Sequence, residues 1–516
     1  MTDRIDPDRI DPDRIDPDRI DAGFRALPLA RLADAALGRA RELGAEHADV
    51  RVERIVSQSV QLRDAGVTGV VDSTVEGLAV RVVVDGTWGF ASHVDLTPER
   101  AAATAERAVG VARALAPLAR ERVERAAEPV HAAVEWCSDY TIDPLTVPTG
   151  EKVAVLTDWS RRLLAAPAVD HVEAGLAVVR ENKFYADLAG TSTLQQRVRT
   201  APSITVTTVD HDGGGFETMS SLAPPAARGW EYLTGTGWDW DDELARLPEW
   251  LAEKAVAPSV EPGRYDLVID PSNLWLTIHE SVGHATEYDR AIGYEAAYAG
   301  TSFATPDLLG TLRYGSPRMH VPGDRTVPHG LATVGYDDDG VATGEWDLVR
   351  DGILVGYQLD RTFAPRLGLD RSNGCAFADS PHRVPLQRMA NVSLQPDRAA
   401  DRATDDLIAD VDDGIYVVGD RSWSIDMQRA NFQFTGQRFF RIRGGRLAGQ
   451  LRDVAYQALT TDFWGSLDGL GGPSTWRLFG AMNCGKAQPG QSAAVGHGCP
   501  SALFRQVNVL NTRAEA

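Results

Sequence analysis

The sequence feature that most constrains this chain is a pair of histidines, His279 and His284, placed five positions apart in a largely apolar segment. The segment follows a strand-like run, Tyr265–Ile269, and Asp270 or a polar residue just after it can cap the start of a helix. In a regular α-helix, positions five apart lie about 140° around the axis, so the two imidazoles would face different sides. A regular helix therefore cannot bring both rings to one site.

A single π turn would place positions i and i+5 on one face of the helix, and such turns are frequent at functional sites. We therefore expect a π-bulge or a helix break at Val282–His284. Gly283 is the residue there that best tolerates a distorted backbone, because it has no Cβ.

The segment also carries a carboxylate, Glu280, directly after the first histidine. Two neutral imidazoles and a neighbouring carboxylate are what a hydrolytic zinc site uses, because the nitrogens hold the ion and the carboxylate accepts a proton from water. His279 and His284 are therefore predicted ligands of one zinc ion, and Glu280 is the predicted base. The motif alone is also compatible with two partly buried histidines on an amphipathic helix.

A zinc site of this kind needs a third protein ligand, for which we favour Cys484. Cys484 lies in a loop of small residues, where the charge of Lys486 would favour the thiolate. A buried structural thiol is the alternative for this cysteine. Glu287, three residues after His284, is better placed to accept a hydrogen bond from an imidazole. The other residues considered as ligands are Cys499, His320, His329, His382 and His497.

Pro-bearing stretches at 142–148 and 258–263 divide the chain. Residues 3–22 repeat the unit Asp-Arg-Ile-Asp-Pro, which buries too little apolar surface to fold. The predicted fold class is α+β: α/β N-terminal and middle domains are followed by a mainly β C-terminal domain with one metal-binding helix. The predicted units are a disordered tail (1–26), an N-terminal α+β domain (27–130), a middle α+β domain (145–256) and a C-terminal metallopeptidase domain (263–510).

Apolar spacing and turn signals predict individual elements within these units. The predicted helices are 29–43, 97–128, 151–166 and 241–255. The predicted strands are 48–56, 78–90 with a turn at Asp85-Gly86, and several short runs within 172–209.

Composition argues against several classes of partner. With 52 Lys and Arg against 73 Asp and Glu, the net charge is −21, which disfavours nucleic acid because that binding depends on neutralising phosphates. The sequence lacks a run of about 20 apolar residues, so we expect neither a membrane partner nor export. Four cysteines are too few for a disulfide framework, which favours a cytoplasmic location.

From about Ala48 to Arg505 the chain resembles the TldD/PmbA family of zinc metallopeptidases, and in particular its metal-bearing TldD branch. The motifs that carry the resemblance are Trp88-Gly-Phe-Ala-Ser92, His279-Glu-Ser-Val-Gly-His284, Gly300-Thr-Ser302, Asp351-Gly-Ile-Leu-Val-Gly-Tyr357, Pro385-Leu-Gln-Arg-Met-Ala-Asn391, Gly414-Ile-Tyr416 and Cys484-Gly-Lys486. The chain departs from the family pattern in its repeat tail and in a longer loop, Gly485–Gln491, after the cysteine.

The resemblance implies a zinc ion held by His279, His284 and Cys484, with Glu280 as the catalytic carboxylate. It also implies a PmbA-like (TldE-like) paralogue that lacks the metal motif and forms a heterodimer enclosing the site. The expected function is hydrolysis of peptide bonds in unfolded or flexible polypeptides. Two alternatives are a zinc amidase that matures a modified peptide or natural product, and a non-hydrolytic, zinc-stabilised binding subunit.

Overall fold

The structure is a computed structural model that describes residues 19–210, 215–487 and 489–513. It combines a large N-terminal sheet, covered by helices, with a C-terminal half made mainly of strands. The predicted α+β class is confirmed. Most of the Asp-Arg-Ile-Asp-Pro repeat lies outside the described residues. Among the helices of the described residues, none is both long enough and apolar enough to cross a membrane.

The α-helices are α1 Ala22–Arg25, α2 Leu29–Glu42, α3 Pro98–Leu115, α4 Thr149–Leu164, α5 Trp240–Ala255, α6 Pro271–Ile278, α7 Tyr288–Ala291, α8 Thr404–Ala409 and α9 Thr460–Gly465. A π turn spans His279–Gly283, and 3-10 turns span Ala116–Leu118, Trp230–Thr234, His284–Thr286, Pro306–Leu308, Ala364–Leu367 and Pro473–Thr475.

The N-terminal strands are β1 His47–Arg63, β2 Gly66–Val84, β3 Thr87–His93, β4 Val134–Cys137, β5 His171–Asp187, β6 Ser192–Val209 and β7 Phe216–Ser220. The C-terminal strands are β8 Gly263–Ile269, β9 Val321–Asp324, β10 Glu345–Arg350, β11 Ile353–Leu354, β12 Ala376–Phe377, β13 Leu386–Gln387, β14 Asn391–Val392, β15 Asp413–Ile425, β16 Asn431–Arg443, β17 Arg446–Leu451, β18 Val454–Leu459, β19 Leu467–Leu470, β20 Arg477–Lys486, β21 Gln491–Cys499 and β22 Ala502–Asn511.

The two predicted N-terminal units share one seven-stranded sheet. Its order is β3-β2-β1-β5-β6-β4, with β7 beside β6, and β1 pairs with β5 from Asp49–Asp187 to Arg63–Glu173. Residues 27–130 and 145–256, predicted as two α+β domains, thus both contribute strands to one sheet. Pairing between strands more than a hundred residues apart leaves no local signal in the sequence, so this sharing of a sheet was not predicted.

Two expectations for elements in this half need correction. The helix predicted to run to residue 128 ends at Leu115, because Pro117 lacks an amide hydrogen and disfavours a helical conformation before it. The predicted disordered tail does not extend to residue 26. Ile20 and Phe24 are buried, and Asp21 caps α1, because these apolar side chains find a core to enter. The predicted turn at Asp85-Gly86 is confirmed, with positive φ at both residues.

In the C-terminal half, five strands form a closed ring in the order β15-β8-β22-β18-β16, with β16 pairing back to β15. Helix α6 lies against this ring, and all eight of its residues are buried. Asn273 on α6 donates to the carbonyls of Gly419 on β15 and Thr435 on β16, and accepts from the Tyr456 hydroxyl on β18. The helix that carries the predicted site is thus held from three strands at once.

Buried ion pairs join the two halves of the chain. Lys183 of the N-terminal sheet pairs with Asp338 at 2.8 Å, and Arg81 pairs with Asp339. All four residues are buried. These contacts hold the segment that contains Asp338 and Asp339, which precedes β10, against the N-terminal sheet.

A candidate metal centre

The predicted helix start and π turn are both confirmed. The Asp270 carboxylate accepts the Ser272 amide at 2.9 Å, and α6 then runs to Ile278. The next turn, His279–Gly283, is a π turn in which the His284 amide donates to the His279 carbonyl, five residues earlier. The turn begins three residues before the predicted position. It brings the imidazoles of His279 and His284 together, with ring centroids 4.7 Å apart.

The expected reason for Gly283 was wrong. Its φ of −54° and ψ of −60° are ordinary helical values, so backbone freedom is not what the position requires. Space is the requirement, because a Cβ at Gly283 would lie 2.6 Å from the sulfur of Met389, which is itself buried.

Cys484 reaches the histidines through a β-bulge. The pairing of β20 with β21 shifts by one residue between Ala481 and Cys484, which re-aims the side chains that follow. The Cys484 sulfur lies 3.4 Å from Nε2 of His284, although the two residues are 200 positions apart in the chain. One ligand atom from each of His279, His284 and Cys484 lies within 4.8 Å of the other two.

This donor set fits a zinc ion. A tetrahedral site with ordinary Zn–N and Zn–S bonds places its ligand atoms about 3.3–3.6 Å apart, so small side-chain rotations would complete it. Nδ1 of His284 is already engaged by the Glu287 carboxylate at 2.8 Å, and Nδ1 of His279 by His497 at 2.9 Å. Nε2 is therefore the nitrogen that each histidine can offer to an ion. The predicted role of Glu287 as an imidazole acceptor is confirmed.

Glu280 is buried beside these ligands, and its carboxylate pairs with Arg429 at 2.6 Å. Burial raises the pKa of Glu280 above its usual value, and the positive charges of Arg429 and Arg290 oppose that rise. Arg429 lies in the turn between β15 and β16 and was missed by the sequence analysis. It has a positive φ and no spacing signal that links it to the histidine motif.

Lys486 lowers the pKa of Cys484, as expected, but its ion pairs are with two carboxylates. Its ammonium group contacts the Glu287 carboxylate at 3.2 Å and the Asp289 carboxylate at 2.7 Å, so its charge is already balanced. Burial raises the pKa of the Cys484 thiol to about 11, even though Arg388 and Lys486 lower it. Lys486 also supports the carboxylate that holds His284.

Burial also controls the ionisation of the histidines. It lowers the pKa of His284 to about 3, against the opposing pull of Glu287, and it lowers that of His279 well below the usual range. Although burial alone would raise the pKa of Glu287, Lys486 and His284 hold it well below its ordinary value. The site thus presents neutral imidazoles and an ionised supporting carboxylate, as metal binding requires.

The other residues considered as ligands lie elsewhere or serve other purposes. His320 pairs with Asp347, and the imidazole of His329 contacts the Ala227 carbonyl. His382 is exposed, and the buried sulfur of Cys499 contacts the Pro271 carbonyl. His497 reaches the site, where its ring contacts His279.

Two models of one protein family match the chain. The PmbA/TldA metallopeptidase domain 1 matches residues 48–112, and the PmbA/TldA metallopeptidase C-terminal domain matches residues 262–511, which include all three candidate ligands. The chain belongs to the PmbA/TldD metallopeptidase family. The family and the enzyme class predicted from the sequence are thereby confirmed.

Relatives within the PmbA/TldD family align over most of the chain. A metalloprotease of Methanothermobacter thermautotrophicus is 28% identical over 471 residues, which cover 90% of this chain and 96% of that protein. A protein of Saccharolobus solfataricus named as a zinc metalloprotease TldD homolog is 21% identical, over 91% of this chain and 98% of its own length.

Solved structures of similar fold include TldE from Thermococcus kodakarensis, at 15% identity and a TM-score of 0.67, covering 93% of this chain and 99% of that chain. A Thermotoga maritima protein, named as a candidate modulator of a DNA gyrase, is 15% identical with a TM-score of 0.73 and covers 93% of this chain and all of its own. These structures support the fold.

Proposed function

We propose that this chain is the zinc-dependent catalytic subunit of a peptidase that cleaves unfolded or flexible polypeptides. The observation that carries the proposal is the convergence of His279, His284 and Cys484 beside the buried carboxylate of Glu280. A zinc ion bound by the three ligands would lower the pKa of a water molecule and polarise a peptide carbonyl.

The protein side chains have separate roles in this proposal. The His279 and His284 imidazoles and the Cys484 thiolate would hold the ion, and Glu287 orients His284. Glu280 accepts a proton from water at its carboxylate and passes it to the departing amine. Burial favours this exchange, because a carboxyl whose pKa is raised takes up a proton more readily.

Arg429 has a positioning role. Its guanidinium donates to Oε2 of Glu280 and to the Ala299 carbonyl, so it ties the base to the loop that follows α7. The amide of Thr301 in the same loop donates to the Met427 carbonyl at 2.7 Å. The turn that carries Arg429 and the 299–301 loop therefore form one wall next to the base.

The preference for flexible substrates rests on the burial of the base. Glu280 is only 6% exposed, so the rounded surface of a folded protein could not reach it, whereas a single extended segment could. Folded proteins should therefore be poor substrates.

We propose that a paralogous partner covers the wall next to the site. Trp423 and Met427 on the β15–β16 hairpin, and Tyr294 and Tyr298 in the loop after α7, are all about half exposed. Exposed aromatic and methionine side chains on adjoining segments are typical of protein interfaces. A PmbA/TldE-like chain, which shares this fold, would cover them and restrict access to the site.

The hydrolytic role is tested by Glu280→Gln in the full chain, assayed for zinc content and for cleavage of an unstructured peptide. We expect zinc to be retained and hydrolysis to fall by about 100-fold or more, because Gln keeps the shape but cannot accept the proton. Glu295→Gln is the matched control, since Glu295 is also buried and close in sequence but contacts no candidate ligand. A fully active Glu280→Gln variant would contradict the mechanism and leave a non-hydrolytic binding role.

The partner is tested separately by measuring sedimentation and peptide cleavage with and without the purified paralogue. We expect a 1:1 complex and a gain in activity on mixing. A monomer that is fully active alone and digests folded proteins would refute the enclosure.

A further inference from the structure

His497 is a fully buried histidine whose ring lies against a candidate zinc ligand. Its Nε2 is 2.9 Å from Nδ1 of His279, and the two ring planes are 75° apart. Its other nitrogen, Nδ1, is 2.9 Å from the backbone carbonyl oxygen of Val392. Both nitrogens of His497 are therefore already engaged within the protein.

The Val392 carbonyl determines which nitrogen carries the proton in His497 and in His279. A carbonyl oxygen only accepts, so Nδ1 of His497 must donate to Val392. In a neutral imidazole the other nitrogen then carries a lone pair, so Nε2 of His497 accepts. Nδ1 of His279 must consequently be the donor, and the lone pair of His279 is left on Nε2.

We propose that His497 is a positioning residue that fixes the tautomer and ring orientation of His279, so that Nε2 is presented to the zinc ion. The inference rests on the zinc site of the proposed function. It assigns to His497 the role that Glu287 has for His284. Ligand histidines in zinc sites usually donate their second nitrogen to a carboxylate, a carbonyl or water. Here the neutral imidazole of His497 accepts that hydrogen bond, and His497 is in turn held by its own hydrogen bond to the backbone of β14.

The surrounding residues hold His497 in place with little freedom. It stands between Gly496 and Gly498 on β21. A Cβ at Gly496 would lie 2.3 Å from the Asn391 side-chain oxygen, and one at Gly498 would lie 1.8 Å from the Trp476 ring. The strand is thus pressed against its neighbours on both sides of the histidine. The ring of Trp275 is stacked at 6.1 Å on the His497 ring, with a 22° angle between the planes.

The two nitrogens of His497 can be replaced one at a time. Gln places an acceptor near the position of Nε2, so His497→Gln can still accept from His279. Asn places a donor near the position of Nδ1, so His497→Asn can still donate to Val392 but is too short to reach His279. His497→Phe keeps the ring volume and removes both contacts.

The experiment measures Zn²⁺ affinity of the full chain by competition with a chelator, together with the absorption spectrum of the Co²⁺-substituted protein. We expect His497→Phe and His497→Asn to lose about 10- to 100-fold in affinity, the usual effect of removing such a partner. His497→Gln should regain most of that loss. The thiolate-to-cobalt absorption should remain in every variant that binds Co²⁺, because Cys484 is unchanged, while the ligand-field bands shift in the Phe and Asn variants.

His329→Asn is the matched control, because the imidazole of His329 contacts the Ala227 carbonyl and not a candidate ligand, and its positive φ is one that Asn tolerates. Thermal unfolding of the metal-free chains separates lost affinity from lost folding. If His497→Phe fails to fold, the ranking of Gln above Asn still decides the question. Equal affinity in wild type, Asn and Gln variants would overturn the inference. An equal loss of Zn²⁺ affinity in the Asn and Gln variants would also overturn it, because that result would indicate that His497 is itself a zinc ligand.

Failure of the zinc site itself has a different signature. If the wild-type chain binds neither Zn²⁺ nor Co²⁺, the proposed function fails before any His497 variant is compared. If the wild type binds zinc and Cys484→Ser does not, the zinc site stands and the His497 variants test only the positioning role.

Discussion

Lys486→Met should destabilise the chain more than the replacement of a solvent-exposed lysine would. The Lys486 side chain is 1% exposed, and its ammonium lies 3.2 Å from the Glu287 carboxylate and 2.7 Å from that of Asp289. Methionine fills the volume of the aliphatic stem but leaves two buried carboxylates without this cation. Removing one partner of a buried ion pair costs about 3–5 kcal/mol, so we expect the free energy of unfolding to fall by that amount.

A double variant tests whether unpaired charge is the cause. Lys486→Met combined with Asp289→Asn removes one of the two stranded carboxylates. The double variant should therefore be more stable than Lys486→Met alone, with a coupling energy of about 1–3 kcal/mol in the double-mutant cycle. A purely steric effect of methionine would instead make the two losses add.

The assay is urea denaturation of the metal-free chain, so that loss of zinc cannot contribute. Lys254→Met is the matched control. Lys254 is also buried, but the nearest carboxylate, that of Glu217, is 3.6 Å away. The Glu217 side chain is 25% exposed, so water can solvate this carboxylate when the lysine is removed. Because burial lowers the pKa of Lys254, its charge is a net cost to the folded chain at neutral pH, so we expect a loss of no more than about 1 kcal/mol there. Equal losses for the two lysines, or additive losses in the cycle, would refute the reasoning.

Further predictions concern the ligand, the wall of the site and pH. Cys484→Ser should abolish stoichiometric zinc while Cys499→Ser retains it, as measured by elemental analysis; the reverse result would reassign the third ligand. Gly300→Ala should lower stability by about 1–2 kcal/mol, because φ is +87° and the new Cβ would lie 1.9 Å from a backbone oxygen; an unchanged unfolding midpoint would contradict this. Burial lowers the pKa of Lys254 to about 8, below its unfolded value, so the folded chain loses that proton first. Wild-type stability should therefore rise relative to Lys254→Met between pH 8 and about 10, and parallel pH profiles would argue against this.

The sequence alone determined the chemistry of the site and the local backbone that it needs. The order His-Glu-x-x-x-His in an apolar, capped segment required a π turn, because only that turn places positions five apart on one face. Glu287 was identified for the same reason, since it lies three residues from His284 and the relation is local. Helix caps, helical spacing and tight turns each depend on a few neighbouring residues, so they can be predicted from short stretches of the sequence.

Tertiary structure decided how distant segments meet. A one-residue bulge in β20 aims Cys484 at His284, and pairing between β1 and β5 merges two predicted domains into one sheet. Arg429 reaches Glu280 from a turn 149 positions away, and His497 reaches His279 from a strand 218 positions away. Such contacts depend on strand register and on the packing of whole elements, which no local pattern of residues encodes. The sequence therefore supplied the candidate ligands, the candidate base and Glu287, whereas only the folded chain showed that Arg429 and His497 contact them.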